Sequence, residues 1–495
     1  MRGTERDPAG AALLAAVLAS PDDDGPRLVL ADHLMQRGDP RGELIAVQCR
    51  LSSGDAAAAD RIELEARERS LLAEHQVEWL RPLGLEPSRA GWRRGFVERV
   101  QGDWGWFRGA FADLAARTPL RHVRVYHVDI AEACALAWPA SVVSLAMFSG
   151  DFGASEARVL ADARSLDRLR RLELFQCEIG DEGARALAST SAFPRLVELA
   201  VSGTDGVHTI GAAGTAALAD ARELGELELL DLSRNRIGDG GARAIAGSPR
   251  MARFQHLILH RCGVGDGARA LAASPYLGAL RSLWLGSNPL GPLGAAAVAA
   301  SPHWAQLAEL DLGGDELGTD GANLLADRWS LPAVTSLGLA FNQIGSAGAQ
   351  AIARARGLAS LTELRLGNNE IDADGACAIA ESAHLRGLES LELRDNPIGV
   401  DGVRAIAAEL MGLRTLRLAR CQLGDAGVAA LAGSPALAGL RELAIGANAI
   451  GDAGALALAE SPFLTSLTAL VADGNPIGDL GRSALRSRFG AGVRL

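Results

Sequence analysis

The chain has no lysine: all 49 basic residues among its 495 are arginine. A Walker-type phosphate loop, a Schiff-base centre and a protein-kinase core each need a lysine, so composition excludes these classes. Two readings fit the gap, escape from lysine-directed modification or codon bias in a GC-rich genome. Only two tyrosines and nine asparagines accompany it, which favours codon bias. Aromatic residues are scarce, 4% against 48% hydrophobic, so the apolar content is Ala, Leu, Val and Ile, suited to thin repeated layers rather than one thick core. No run reaches the roughly 18 apolar residues of a membrane helix. The formal charge of −11 comes without a basic tract, which argues against nucleic acid. Cys49, Cys134, Cys177, Cys262, Cys377 and Cys421 are scattered with no C-x-x-C pair, so neither a disulfide framework nor a zinc site is expected. The run AGAALLAAVLAS (9–20) resembles a signal-peptide core, but Arg2 and Arg6 are offset by Glu5 and Asp7, and PDDDGPRLVLADHL continues as helix. The expectation is a cytoplasmic start.

What the chain does have is a repeat. Residues 364–380 read LRLGNNEIDADGACAIA, and residues 391–407 read LELRDNPIGVDGVRAIA, 27 positions later. Aligned on L-x-x-L-x-L, units start at Leu169, Leu196, Leu227, Phe254, Leu280, Leu307, Val334, Leu361, Leu388, Leu413, Leu440 and Leu467, with degenerate ones at Leu120 and Val142. Such a period is the signature of a solenoid. Within a unit, alternating L-x-L has the period of a strand with its leucines inward. The following I-G-D-x-G-A-R-A-I-A supplies a turn, an Asp able to cap a helix, and an Ala-rich helix, and Ser-Pro often ends it. Strands roughly 4.8 Å apart beside helices roughly 8 to 10 Å apart force a curve with the strands inside. An Asn turns the corner after the strand at Asn235, Asn288, Asn342, Asn369, Asn396, Asn448 and Asn475, where its amide can satisfy buried backbone groups. Cys177, Cys262 and Cys421 take the same position in three other units and are read as structural.

With these units, from about residue 116 to 495, the chain resembles the ribonuclease-inhibitor type of leucine-rich repeat, which has this length and accepts Asn or Cys at the corner. The resemblance implies an α/β horseshoe with parallel strands on the concave face and helices on the convex face. It also implies a protein partner, whether inhibited, sensed or scaffolded, with regulation of a small GTPase as the alternative. Residues 1–90 do not repeat. Their PRLVLADHLMQRGDPRGE segment, with the later WRRGFV, resembles the bacterial repeat-companion domain, although His33 and Met35 stand where that family shows Trp and Glu. This implies a helical domain that caps the apolar end of the array. The expected organisation is therefore a helical cap (1–90), then a solenoid (91–495) with degenerate units to about 168, regular units over 169–478 and a C-terminal cap over 479–495.

Catalytic and cofactor chemistry finds little support. Gly263-Val264-Gly265-Asp266-Gly267-Ala268 fits G-x-G-x-x-A, but the repeat places that turn everywhere and no separate βαβ unit surrounds it. Asp372-Ala373-Asp374-Gly375 lacks the further ligands of a calcium loop. His256 and His260 lie four residues apart on an extended chain, roughly 13 Å, too far to share an ion. No nucleophile and base converge as a hydrolase needs, so no catalytic, cofactor or metal residue is assigned.

The outward positions of the strands remain. The central column includes Asp231, Ile258, Trp284, Asp311, Arg365 and Arg417, and the next holds Phe175 and Arg394. Gly286, Gly313 and Gly338 leave space beside Trp284, and Phe341 follows two strands along. Phe175, Asp231, Ile258, Trp284, Asp311, Phe341, Arg365, Arg394 and Arg417 are the expected partner-binding residues, aromatics as anchors and arginines orienting acidic groups. The loop Gly203–Thr209, four residues longer than its counterparts, is a second candidate edge. The overall expectation is a bacterial, cytoplasmic, monomeric interaction protein with no cofactor.

Overall fold

The computed structural model describes residues 7–54, 57–149, 151–204, 206 and 208–495. Asp205 and Val207 of the longer loop, and the leading Arg2, Glu5 and Arg6, lie outside the described residues. The chain divides into two compact units, Met1–His208 with Ala221–Leu227, and Thr209–Asp220 with Glu228–Leu495.

The first unit opens with four helices, Pro8–Ala19, Asp24–Gln36, Pro40–Ser53 and Ala58–Leu80. Asp7, Asp23 and Asp39 cap the first three by accepting backbone N–H groups of the opening turn, so the Asp-rich segments mark the boundaries. A hairpin follows, Ala90–Arg93 antiparallel to Phe96–Asp103, turning at Gly95 with φ 79°. Phe96 enters the helical core beside Val17, Leu30, Ala31, Ile45 and Cys49. A buried ionic knot joins the same pieces. Glu98, 1% exposed, accepts through Oε1 from Arg27 Nη2 at 2.8 Å and Arg94 Nη2 at 2.9 Å, and both guanidiniums also donate to the Pro21 carbonyl. Charges this buried are tolerated only when paired and hydrogen-bonded, so the PRLVL and WRRGFVE segments are tied to each other. From Phe96–Asp103 a parallel sheet runs through His122–Tyr126, Ser144–Phe148, Arg171–Phe175 and Glu198–Ser202. The degenerate repeats thus make strands in register with the regular ones.

The second unit is a solenoid of α/β repeats, with one short parallel strand per repeat. The central leucines, such as Leu283, Leu310, Leu337 and Leu364, are paired in direct register and fully buried. The sheet ends on Val493–Arg494, added in parallel after the helix Asp479–Phe489. Successive helices approach closely because they meet at Gly and Ala: a Cβ on Gly402 would lie 2.8 Å from that of Ala376.

Side-chain ladders connect the repeats. Asn369, fully buried, accepts through Oδ1 from the Asn342 N–H at 2.8 Å and the Ile344 N–H at 3.4 Å, and donates through Nδ2 to Leu339 and Leu366 carbonyls at 2.8 and 3.0 Å. Cys262 and Cys421 keep the donor half, each thiol reaching a leucine carbonyl of the preceding repeat at 3.1 Å. Burial pushes both thiols up to about 12, so they stay protonated as this requires. Serines at the helix ends form another ladder, with Ser274 donating to Ala246 and Ser301 to Ala272 at 2.6 and 2.7 Å. The aspartates of I-G-D differ from expectation. They sit inside the first turn of their own helix, and several reach the next repeat instead: Asp239 accepts from Gly265 and Gly267, Asp425 from Gly451 and Gly454, and Asp452 from Gly478 and Gly481.

Among the corners of the second unit, one carries neither Asn nor Cys. Asp315 occupies it, fully buried, with Oδ1 accepting from the Asn288 N–H at 2.7 Å and no partner on Oδ2. Where its neighbours place an amide donor against leucine carbonyls, a carboxylate would place a second negative oxygen, so this carboxyl must carry a proton. Burial accordingly pushes Asp315 up to about 9. Between its ordinary 3.8 and about 9, the folded chain holds a proton that the unfolded chain has lost. Stability therefore falls as pH rises through that window, on the order of 1 kcal/mol per unit. Asp315→Asn should remove this component, so urea midpoints at pH 5 and pH 8 should differ more for the parent than for the variant. Equal pH dependence would show that Asp315 is ionised. Asn369→Ala, which strands the Asn342 and Ile344 N–H groups and removes one of two amide donors from the Leu339 and Leu366 carbonyls, should cost on the order of 1 to 3 kcal/mol, and an unchanged denaturation midpoint would refute the ladder.

Candidate interaction surface on the strand face

Strand register places six of the expected residues of the second unit in one row. Asp231, Ile258, Trp284 and Asp311 are successive cross-strand partners, and the row continues through Gly338, Arg365, Glu392 and Arg417. Period-2 alternation turns all of them away from the leucine core. Trp284 is 39% exposed and Phe341 51% exposed. Phe341 lies beyond its strand, immediately before the corner Asn342, with φ 59°. The same left-handed backbone recurs before the other corners, at Arg234, Arg261, Ser287, Asn368, Asp395 and Arg420. This recurring position escaped the sequence reading; its only signal is adjacency to the corner Asn, Asp or Cys.

The charged members of the row are engaged by one another or by neighbours just outside it. Arg365 reaches across Gly338 to Asp311 at 3.0 Å and also pairs with Glu363 at 3.1 Å. A Cβ on Gly338 would lie 2.6 Å from Asp311 Oδ2, so the space left by this glycine is filled by the ion pair rather than open to a partner. The same holds at Gly367, where Glu392 and Arg394 pair at 2.5 Å, and at Gly286, which Asp311 and His260 approach. Arg394 also stands 5.5 Å from the Phe341 ring centroid, a cation–π contact that steadies an otherwise exposed ring. Arg417 pairs with Glu442 at 3.3 Å. Asp231 accepts from the Ser233 N–H and hydroxyl at 2.8 and 2.5 Å, and burial raises its pKa. Apart from Asp231, which Ser233 holds, the charges of the row are paired on this face, and Trp284 and Phe341 project from among them. Phe175 belongs to the first unit, where its ring stacks on Phe148 at 4.5 Å.

The sequence motifs for other chemistry are used structurally. Gly265 and Gly267, whose N–H groups would cradle a phosphate, both donate to Asp239 at 2.9 and 2.8 Å. Asp372 caps its own helix through the Asp374 and Gly375 N–H groups. Among the described residues, no His, Cys, Asp or Glu cluster could hold a metal ion, and no helix is long and apolar enough to cross a membrane.

The Leucine Rich repeat family matches residues 169–188, 227–246, 331–353, 357–380, 384–407, 412–432 and 440–459. The chain is therefore a leucine-rich-repeat protein. A search of curated proteins finds no match. Similar solved structures include an internalin (inlF) from Listeria monocytogenes, 20% identical over 62% of this chain and 92% of that one, TM-score 0.38. The complex of Rad7 and Elc1 in yeast is 18% identical over 68% and 77%, TM-score 0.42. The TLR13–ssRNA13 complex is 17% identical over 74% and 53%, TM-score 0.39.

Proposed function

We propose that the protein is a non-enzymatic interaction scaffold or sensor that holds a protein partner against the strand face of its second unit. The observation that carries this reading is the exposed pair Trp284 and Phe341 on a face whose other large side chains are paired. A tryptophan has no inward role there, and aromatics desolvated by a partner are the usual anchors of an interface. Because Asp311, Arg365, Glu392 and Arg394 are already paired, a partner can cover them without burying an unmatched charge. The reading extends to a cytoplasmic, monomeric bacterial protein that does not bind nucleic acid. In it, the N-terminal helices act as a repeat-companion cap that covers the apolar end of the array.

Affinity capture from native lysate with mass spectrometry identifies the partner, and titration then tests the site. Trp284→Ala should weaken binding by about 2 kcal/mol or more, whereas Arg417→Ala, which breaks only an exposed pair, should change it by less than about 1 kcal/mol. Undiminished affinity in a Trp284→Ala, Phe341→Ala double variant would move the site elsewhere. Deleting residues 1–90 should leave a helix-and-strand spectrum but promote aggregation, because Phe96 and the first strands lose their cover. A truncated chain that stayed monomeric and equally stable would make those helices an independent module.

A further inference from the structure

The strand face of the first unit is built differently. Tyr126, Phe148 and Phe175 stand at matching positions on three neighbouring strands and form a continuous aromatic band. Their ring centroids are 5.1 and 4.5 Å apart, and the second pair is stacked at 21°. Arg124, two residues before Tyr126 on the same strand, holds its guanidinium 5.5 Å from the Phe148 centroid. All three rings are only half-buried.

The charge beside this band is not neutralised. Arg93, Arg99 and Arg124 are exposed, and among the described residues none has a carboxylate within ion-pair distance. The arginines of the row on the second unit are all paired, as is Arg171 here, with Glu173 at 3.5 Å and with Glu198. His122 reports the resulting field. Its pKa is pushed down to about 4, first by burial and then by Arg99, Arg121, Arg93 and Arg171. In a chain of net charge −11, Arg124 beside the band and Arg99 and Arg93 further along, around His122, form a cluster of arginines without ion-pair partners among the described residues, while Asp103 and Glu173 are the carboxylates next to the rings.

We propose that this face of the first unit binds an acidic segment of a protein partner, with carboxylates on Arg93, Arg99 and Arg124 and an interspersed aromatic or aliphatic side chain on the Phe148–Phe175 band. This rests on the reading of the chain as a protein-binding scaffold and adds a second contact to it. A nucleic-acid strand fits less well. Phe148 has one face on Phe175 and Arg124 beside it, which leaves few open faces for successive bases to stack on, while the half-buried rings still offer contact to a single side chain. The wider negative charge would also repel a long polyanion, while a short acidic segment meets only the local arginines.

The test is fluorescence anisotropy on the full chain with three labelled probes of matched charge: a random glutamate–tyrosine copolymer, polyglutamate and oligouridylate. The copolymer should bind at least about tenfold tighter than either other probe. Arg99→Glu with Arg124→Glu should weaken it by about tenfold or more, and Arg99→Gln with Arg124→Gln by a smaller factor with an unchanged melting profile. Phe148→Ala with Phe175→Ala should erase the preference for the copolymer over polyglutamate, whereas Trp284→Ala should leave all three titrations unchanged. Preference for oligouridylate, absence of copolymer binding, or copolymer binding insensitive to the arginine variants would each overturn the proposal. If copolymer binding is insensitive to the arginine variants while Trp284→Ala abolishes capture of the partner, this inference fails and the proposed function stands. Loss of the copolymer in the arginine variants, with partner capture indifferent to Trp284, is the reverse outcome.

Discussion

Everything in the second unit depends on how a buried corner satisfies its backbone. A three-residue strand is too short to hold a stacked array by its own ladder, and the chain must then turn inside the protein, where N–H and C=O groups have no water. The corner side chain resolves this by accepting from the preceding repeat and donating to carbonyls of both, as Asn342, Asn369 and Asn448 do. The requirement is for a buried acceptor and donor rather than for asparagine as such. A protonated thiol supplies the donor at Cys262, and the Asp315 carboxyl supplies the acceptor. The serine and aspartate contacts at the two helix ends repeat the same logic 26 to 29 residues apart in sequence.

The corner also decides what the strand face presents. Holding the amide inward requires left-handed backbone just before it, and that conformation projects the preceding side chain outward, which is how Phe341 comes to be exposed beside the row containing Trp284. The two units then use their faces differently. In the second, Asp311 with Arg365 and Glu392 with Arg394 cancel locally. In the first, Arg124 lies against three aligned rings, and Arg99 and Arg93 further along the strands also lack an ion-pair partner among the described residues.

Period, strand, helix and corner were legible in the sequence because each repeats at fixed spacing, and so was the row through Trp284, since register follows from the period. Contacts whose partners come from different repeats were not legible. The aspartates at 239, 425 and 452 were read as caps of their own helices because the groups they bind lie 26 to 29 residues on. The space over Gly338 looked open because nothing in the spacing says that the arm of Arg365 crosses a strand to Asp311. Asp315 carries no signal in the sequence because no other corner of the second unit holds an Asp. Phe175 was singled out without Tyr126 and Phe148, which sit in degenerate repeats whose outward columns the pattern does not align.

The central claim, that side chains at the corner rather than the short strands tie each repeat to the next, is most directly tested by residue-resolved hydrogen exchange. The N–H groups of Val264, Asn342, Asn369 and Ile371 bond to an asparagine amide and lie outside any strand or helix. They should exchange as slowly as the strand N–H groups of Leu337 and Leu364, through opening of the array as a whole. Exchange at the rate of exposed loop N–H groups, with the strands still protected, would contradict the account.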